Sequence, residues 1–261
     1  MLTLLFPMDN TQQNNKGGIS PRILTANKTD ASVTISVLFI GNSYTFYNNM
    51  PQMIIDIANS DPGNKVALEL QSITIGGATL EQLWKDPRTL PALKNRHWDY
   101  VILQEQSTWA MFDDNRKKTR EYAANFTNEA RQIGAKTLIY QTWPRKQGTS
   151  WYKEAQFASA LKDSNHMQSI TASQTKFLAD LIQAKVVPVS DYWMFTIDQH
   201  PDLELYDKDG SHPSLLGSYL TALIFYRTLT DRAPQETAYI PAGLEEMPAA
   251  QIKKIASYGK N

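Results

Sequence analysis

The chain contains no cysteine, which excludes disulfides, thiolate metal ligands and a cysteine nucleophile. Its absence leaves the compartment open, because reducing and oxidising locations both tolerate cysteine-free proteins. A dominant charge is also missing. Lys plus Arg number 26 and Asp plus Glu number 26, so nothing points to nucleic acid or an acidic membrane surface as the partner. No stretch approaches the roughly 20 apolar residues of a membrane span. Histidine is scarce: His97, His166, His200 and His212 form no His-x-x-x-His pair, so a zinc site would need ligands scattered along the chain, and no metal is expected. No Gly-x-Gly-x-x-Gly and no P-loop follows a strand-like segment, which argues against a nucleotide binder. No cofactor is implied.

What is present is ordinary globular material. Of the 261 residues, 42% are hydrophobic and 20% charged, enough apolar content for a sizeable core in one large α/β domain. The first eight residues, Met1 to Met8, are apolar but lack a basic n-region and a cleavage site. As written the chain reads as soluble and cytoplasmic; a start upstream of Met1 would make it periplasmic or secreted. Residues 1–30 read as a flexible lead-in, polar from Asp9 onward, and 31–261 as a single domain. The oligomeric state is not legible.

Val33 to Ile40 is β-branched, largely apolar and ends at Gly41, the pattern of a buried strand. Met50, Met53, Ile54, Ile57 and Ala58 then form one apolar helical stripe, with Asn49 at the N-cap and Pro51 in the first turn. The alternation repeats. Strands are expected at 65–75, 99–103, 136–141 and 186–190. Helices are expected at 80–93 (interrupted near Pro87), at 115–133, at 153–184 (broken near Ser164-Asn165), and last after Ser214. Strands alternating with helices of this length imply a parallel sheet, here of five strands, with helices on both faces. Ligands in such sheets bind at the carboxyl ends of the strands.

Chemistry-bearing residues follow the strands. Gly41-Asn42-Ser43 puts a hydroxyl directly after the first one; it is either a nucleophile or a serine in a tight turn. Gly76-Gly77 ends the second strand, where a backbone N–H can approach a substrate or simply make a turn. Gln104-Glu105-Gln106-Ser107 ends the third and supplies side-chain amides. Asp209-Gly210-Ser211-His212 places a carboxylate three residues before a histidine, near enough to orient the ring. Asp163-Ser164-Asn165-His166 has the same spacing inside a polar helical run and reads as a surface residue, so spacing alone does not select a base. Tyr44, Phe46, Trp109, Trp143 and Trp193 follow strand ends; they suit stacking on sugar rings or covering the edge of the core. Arg145 is placed to hold a carboxylate or other anion, or is a surface arginine. Glu105 and Asp99 do not pair at the rim as a glycosidase requires.

Gly41-Asn42-Ser43, Gly76-Gly77, Gln104 to Ser107 and Asp209-x-x-His212, in that order, resemble the four blocks of the SGNH/GDSL hydrolases. VLFIGNSYT (37–45), WDYVILQEQS (98–107) and DGSHPSLLGSY (209–219) are similar to a bacterial, SGNH-like branch of that superfamily. The resemblance covers about residues 33–230. It implies a flavodoxin-like, three-layer α/β/α fold and a serine ester hydrolase. It assigns Ser43 as nucleophile and oxyanion donor, Gly77 as the second donor, His212 as base and Asp209 as its partner. Asn42 replaces the usual Asp of the first block. The third block lacks the usual Gly-x-Asn-Asp, so the amide donor is Gln106, or Gln104 instead. Asn42, Gln104 and Trp143 are the candidates for touching substrate. That substrate would be a carbohydrate or small-molecule ester. The alternative is a carbohydrate-binding module on the same fold with little or no turnover.

Overall fold

The backbone of Val33–Gly41 alternates its side chains between two apolar layers, and the architecture follows from that. In the computed structural model, which describes residues 23–25, 31–158 and 161–258, six strands form one sheet: β1 (Leu24–Thr25), β2 (Val33–Gly41), β3 (Val66–Thr74), β4 (Tyr100–Leu103), β5 (Lys136–Tyr140) and β6 (Lys185–Val187). Their order is β1-β3-β2-β4-β5-β6, and all pairings are parallel except β1 with β3. The helices are α1 (Ser43–Phe46), α2 (Met50–Ser60), α3 (Leu80–Lys85), α4 (Thr89–Lys94), α5 (Asp113–Gln132), α6 (Ala155–Ala158), α7 (Ser164–Ile182), α8 (Val189–Gln199), α9 (Leu215–Thr230) and α10 (Glu246–Ser257).

Two cores flank the sheet. Val37 and Phe39 face one, with α2, α8, α9 and α10; Leu38 and Ile40 face the other, with α3, α4, α5 and α7. Successive side chains of a strand point to opposite faces, so nearly every residue of β2 after Ile35 is buried. The fold is therefore three-layer α/β/α. Helix α9 is buried on most sides, Leu216 through Tyr226 without a gap, because α2 and α10 pack on it as well as the sheet.

The sequence expectation needs three corrections. The sheet has six strands rather than five: Leu24 and Thr25, inside the expected lead-in, pair with Leu70 and Glu69 and cover the outer edge of β3. Apart from Ile23, the rest of that lead-in lies outside the described residues. The strand expected at 186–190 stops at Val187, because Pro188 has no N–H for a ladder and α8 begins at Val189. Finally, α9 is not the last helix: Ala249, Ile252, Ile255 and Ala256 give α10 its own buried face. No helix among the described residues is long and apolar enough to cross a membrane.

Strand β2 pairs with β3 on one side and β4 on the other. The chain runs first one way and then the other from β2, so the crevice at the carboxyl end of β2 is the switch point where ligands bind in open α/β sheets.

Candidate active site

Gly41 is the last residue of β2, and any side chain there would push into its neighbours. A Cβ at this position would lie 2.6 Å from both Gln104 Oε1 and Thr45 Oγ1. The chain then turns into α1, with Asn42 as its N-cap: Asn42 Oδ1 accepts from the N–H of Tyr44 at 3.2 Å. Ser43 is the first helical residue. Its N–H is one of those a helix start leaves without an intrahelical acceptor, and among the described residues nothing accepts from it. Its hydroxyl faces the rim and its residue is only 9% exposed.

Gln104 holds this turn from beneath. Its Oε1 accepts from the N–H of Asn42 at 2.8 Å and from the Thr45 hydroxyl at 3.0 Å. Its Nε2 donates to Asn42 Oδ1 at 2.9 Å and to Glu105 O at 2.6 Å. A primary amide has two N–H bonds, so none is left for a ligand. Asn42 is 3% exposed and donates to Ala78 O at 3.0 Å, which ties the Ser43 turn to the one at Gly76-Gly77. Both residues are braces, and the expectation that they touch substrate is corrected accordingly. Gly77 has φ +69° and open space where a Cβ would stand; a left-handed backbone of this kind favours glycine. Its N–H has no acceptor among the described residues. Gln106 folds back on its own loop: its Oε1 accepts from the N–H and hydroxyl of Thr108 at 2.8 and 2.6 Å, leaving Nε2 without an acceptor among the described residues.

His212 comes from the loop between α8 and α9. The N–H of Asp207 donates to His212 O, and that of Ser214 to Leu205 O, both at 2.8 Å, closing the loop just before Ser214 caps α9. His212 Nε2 lies 2.8 Å from Ser43 Oγ, across 169 residues of sequence, and His212 Nδ1 lies 2.5 Å from Asp209 Oδ2. A carboxylate can only accept, so Nδ1 carries the proton and Nε2 is free to accept from the serine hydroxyl. Asp209 Oδ1 accepts from the N–H groups of Ser211 and His212 at 2.8 and 2.9 Å. Partial burial pushes the Asp209 carboxyl up, but the bonds from His212 and Ser211 outweigh it and bring the pKa down to about 2.

The imidazole is framed by residues that the sequence did not single out for it. Tyr47 stacks on it with centroids 4.5 Å apart and 17° between planes; burial and the neighbouring Asp207 and Asp209 raise its phenol pKa. Tyr44 meets the ring edge-on, and its hydroxyl lies 2.8 Å from Ser211 Oγ. Closeness to Ser43 in sequence was the one signal that could have found Tyr47.

Trp143 departs from expectation. It is 1% exposed and sandwiched between Tyr44 and Trp193, with centroids at 4.6 and 3.7 Å. Its indole N–H donates to Ser211 O at 3.0 Å. It supports the histidine loop from below and offers no face to a ligand. Trp109 and Trp193 are buried as well, so these rings cover the edge of the core. Glu105 and Asp99 sit at opposite ends of β4: Glu105 binds the N–H groups of Leu80 and Gln106, Asp99 that of Ser36.

No family model matches the chain, and no curated protein matches it. Solved structures do. A protein assigned to the SGNH hydrolases, from Slackia heliotrinireducens, superposes with a TM-score of 0.63 and 27% identity, over 75% of this chain and 98% of its own. A DUF4886 family protein from Bacteroides uniformis gives a TM-score of 0.66 at 21% identity, over 86% of this chain and 93% of its own. The acetylxylan esterase Axe2 from Geobacillus stearothermophilus gives 0.53 at 13% identity, over 75% and 94%. The chain thus has an SGNH/GDSL-like fold.

Proposed function

With that fold as premise, we propose that the protein is a serine ester hydrolase with Ser43 as nucleophile, His212 as general base and Asp209 as the group that holds the imidazole. The observation that carries this is the continuous hydrogen-bonded path from Ser43 Oγ through His212 to Asp209, at 2.8 and 2.5 Å. A serine hydroxyl attacks an ester only when a base takes its proton. Here Ser43 Oγ bonds to the ester carbon as its proton passes to His212 Nε2. The imidazolium that forms faces an ionised carboxylate. The tetrahedral oxyanion is held by the N–H groups of Ser43 and Gly77, with the unclaimed Nε2 of Gln106 as the side-chain donor. Collapse expels the alcohol, which takes its proton from His212. Water, activated by the same imidazole, then releases the acid and restores Ser43.

The substrate is an O-acyl ester of a carbohydrate or small molecule, with acetyl as the acyl group. The likeness to an acetylxylan esterase supports this choice, as does the shallow, solvent-facing position of Asp209 and His212, whose side chains are 46% and 27% exposed. The decisive experiment is labelling with a fluorophosphonate and turnover of p-nitrophenyl acetate by the wild type, Ser43→Ala and His212→Ala. Labelling at Ser43 and a loss of about 10³-fold or more in either variant is expected. An unlabelled, inactive wild type would favour the carbohydrate-binding alternative, and activity surviving both substitutions would place the site elsewhere.

A further inference from the structure

Most of the arginines in this chain have an obvious partner. Arg88, Arg96, Arg116 and Arg232 each bind a carboxylate, and Arg131 and Arg227 donate to backbone carbonyls. Among the described residues, only Arg120 and Arg145 have neither. Arg120 lies over Phe177, between α5 and α7. Arg145 is different because of where it stands.

It follows β5 at the carboxyl edge of the sheet. Two residues before it, Trp143 donates to Ser211 O; one residue after it, the N–H of Lys146 donates to Gly210 O at 2.8 Å. The backbone around Arg145 is therefore fastened to the loop that carries Asp209 and His212. Its guanidinium reaches the other way: Nη2 donates to Ser107 Oγ at 3.3 Å, three residues beyond the Gln104 that braces the Ser43 turn. Ser43 stands between these two loops, bonded to His212 on one side and joined through Asn42 to Gln104 on the other. The guanidinium lies over Trp151, 5.6 Å from its ring, and the buried Nε has no acceptor among the described residues. Drawing a cation partly out of water without an anion costs free energy, which an anionic ligand would restore.

We infer that Arg145 binds a carboxylate on the substrate, so that the ester cleaved at Ser43 is carried by an acidic molecule such as an acetylated sugar acid. The planar fork of a guanidinium matches a carboxylate through two parallel N–H bonds. Nη1 has no partner among the described residues, and Nη2 has only the long contact to the Ser107 hydroxyl, so their shared edge is the one offered. The acidic groups near the rim are committed: Asp209 to His212, Asp207 to Tyr47, Glu204 to Lys146, and Glu105 to the N–H groups of Leu80 and Gln106. None neutralises Arg145.

This inference rests on the hydrolase reading, and the test separates the two. Two substrates are compared: a monoacetylated methyl glucuronoside and the matching monoacetylated methyl glucoside, which differ only by carboxylate against hydroxymethyl. Wild type, Arg145→Met, Arg145→Lys and Arg120→Met are assayed, with p-nitrophenyl acetate as the common reference and thermal melts as a folding check. The wild type is expected to favour the uronoside by about 10- to 100-fold in kcat/KM, the range of a charge-assisted contact. Arg145→Met should erase that preference mainly through KM, Arg145→Lys should keep part of it, and Arg120→Met should leave it intact. The preference should also shrink as salt rises to about 0.5 M. A wild type that treats the sugars alike, or takes neither while hydrolysing p-nitrophenyl acetate, overturns the inference and leaves the hydrolase reading standing. So does an Arg145→Met variant that lowers both substrates in equal proportion. A wild type with neither turnover nor labelling at Ser43 removes both.

Discussion

Replacing Asp209 by Asn should damage turnover more than replacing it by Ala, although Asn is the closer match in shape. Asp209 Oδ2 takes the proton side of the imidazole at 2.5 Å, and Oδ1 accepts from two backbone N–H groups. An Asn keeps the Oδ1 bonds and so preserves the loop. Its Nδ2, however, is a donor. It forces Nδ1 of His212 to accept, which moves the ring proton to Nε2, and Ser43 then faces a donor instead of a base. A tautomer locked in the wrong form lowers turnover by about 10⁴-fold in other triads. Ala leaves Nδ1 free to keep its proton, so its loss should be the smaller of the two. Stability ranks the other way. The fall of the Asp209 pKa from 3.8 to about 2 corresponds to about 2.4 kcal/mol, and since 46% of the side chain is exposed, solvent screening reduces this to about 1 kcal/mol. Because the folded pKa is the lower one, that contribution is present above pH 3.8 and is lost as pH falls through about 2. Turnover of p-nitrophenyl acetate between pH 5 and 9, beside urea denaturation at pH 7, measures both quantities. An Asn variant within about tenfold of the wild type would refute the reasoning, since the carboxylate would then not set the tautomer.

Two further outcomes follow from the geometry. Gly41→Ala puts a methyl 2.6 Å from Gln104 Oε1 and Thr45 Oγ1; denaturation should report a loss of about 1–3 kcal/mol, and kcat should fall with it because those atoms hold Asn42 and Ser43. Glu105 is almost wholly buried, and desolvation raises its carboxyl from 4.5 to about 7 against the bonds from Gln106, Thr119 and Leu80. A raised folded pKa gives stability that is full below pH 4.5 and is lost as pH rises through about 7. The wild type should therefore lose up to about 3 kcal/mol relative to Glu105→Gln across that window, and a difference that does not change with pH in urea melts would refute it.

The layers of the fold were legible because strand and helix periods differ and the sheet is buried on both faces. Val33 to Ile40 and the stripe from Met50 to Ala58 declare themselves by pattern. What escaped is what pattern does not encode. Strand β1 is two residues long and exists through its partner β3. Helix α10 follows a stretch with two turns, each beginning at a proline (Pro234 and Pro241), and its small residues Ala249 and Ala256 give a weak stripe. At the site, the positions of Ser43 and Gly77 at the carboxyl edge follow from topology, because each comes just after a strand, whereas His212 reaches it from a loop beyond α8. The two glutamines show the limit: residue type offered Gln104 and Gln106 equally, and only the hydrogen bonds reveal that Gln104 has no N–H left to give.

The two Asp-x-x-His stretches make the same point more sharply. In both, the aspartate Oδ1 accepts the backbone N–H of the histidine three residues on, at 2.7 Å in Asp163-His166 and 2.9 Å in Asp209-His212. The spacing is thus a capping geometry first, whatever the histidine does afterwards. Asp163 uses it to start α7, and His166 Nδ1 turns away to accept from the N–H of Lys162. Asp209 uses the same bond to fix a loop that Pro213 and the Ser214 cap separate from α9, and its Oδ2 meets the ring. Whether such a motif orients an imidazole therefore depends on the second carboxylate oxygen, which the four residues alone do not determine.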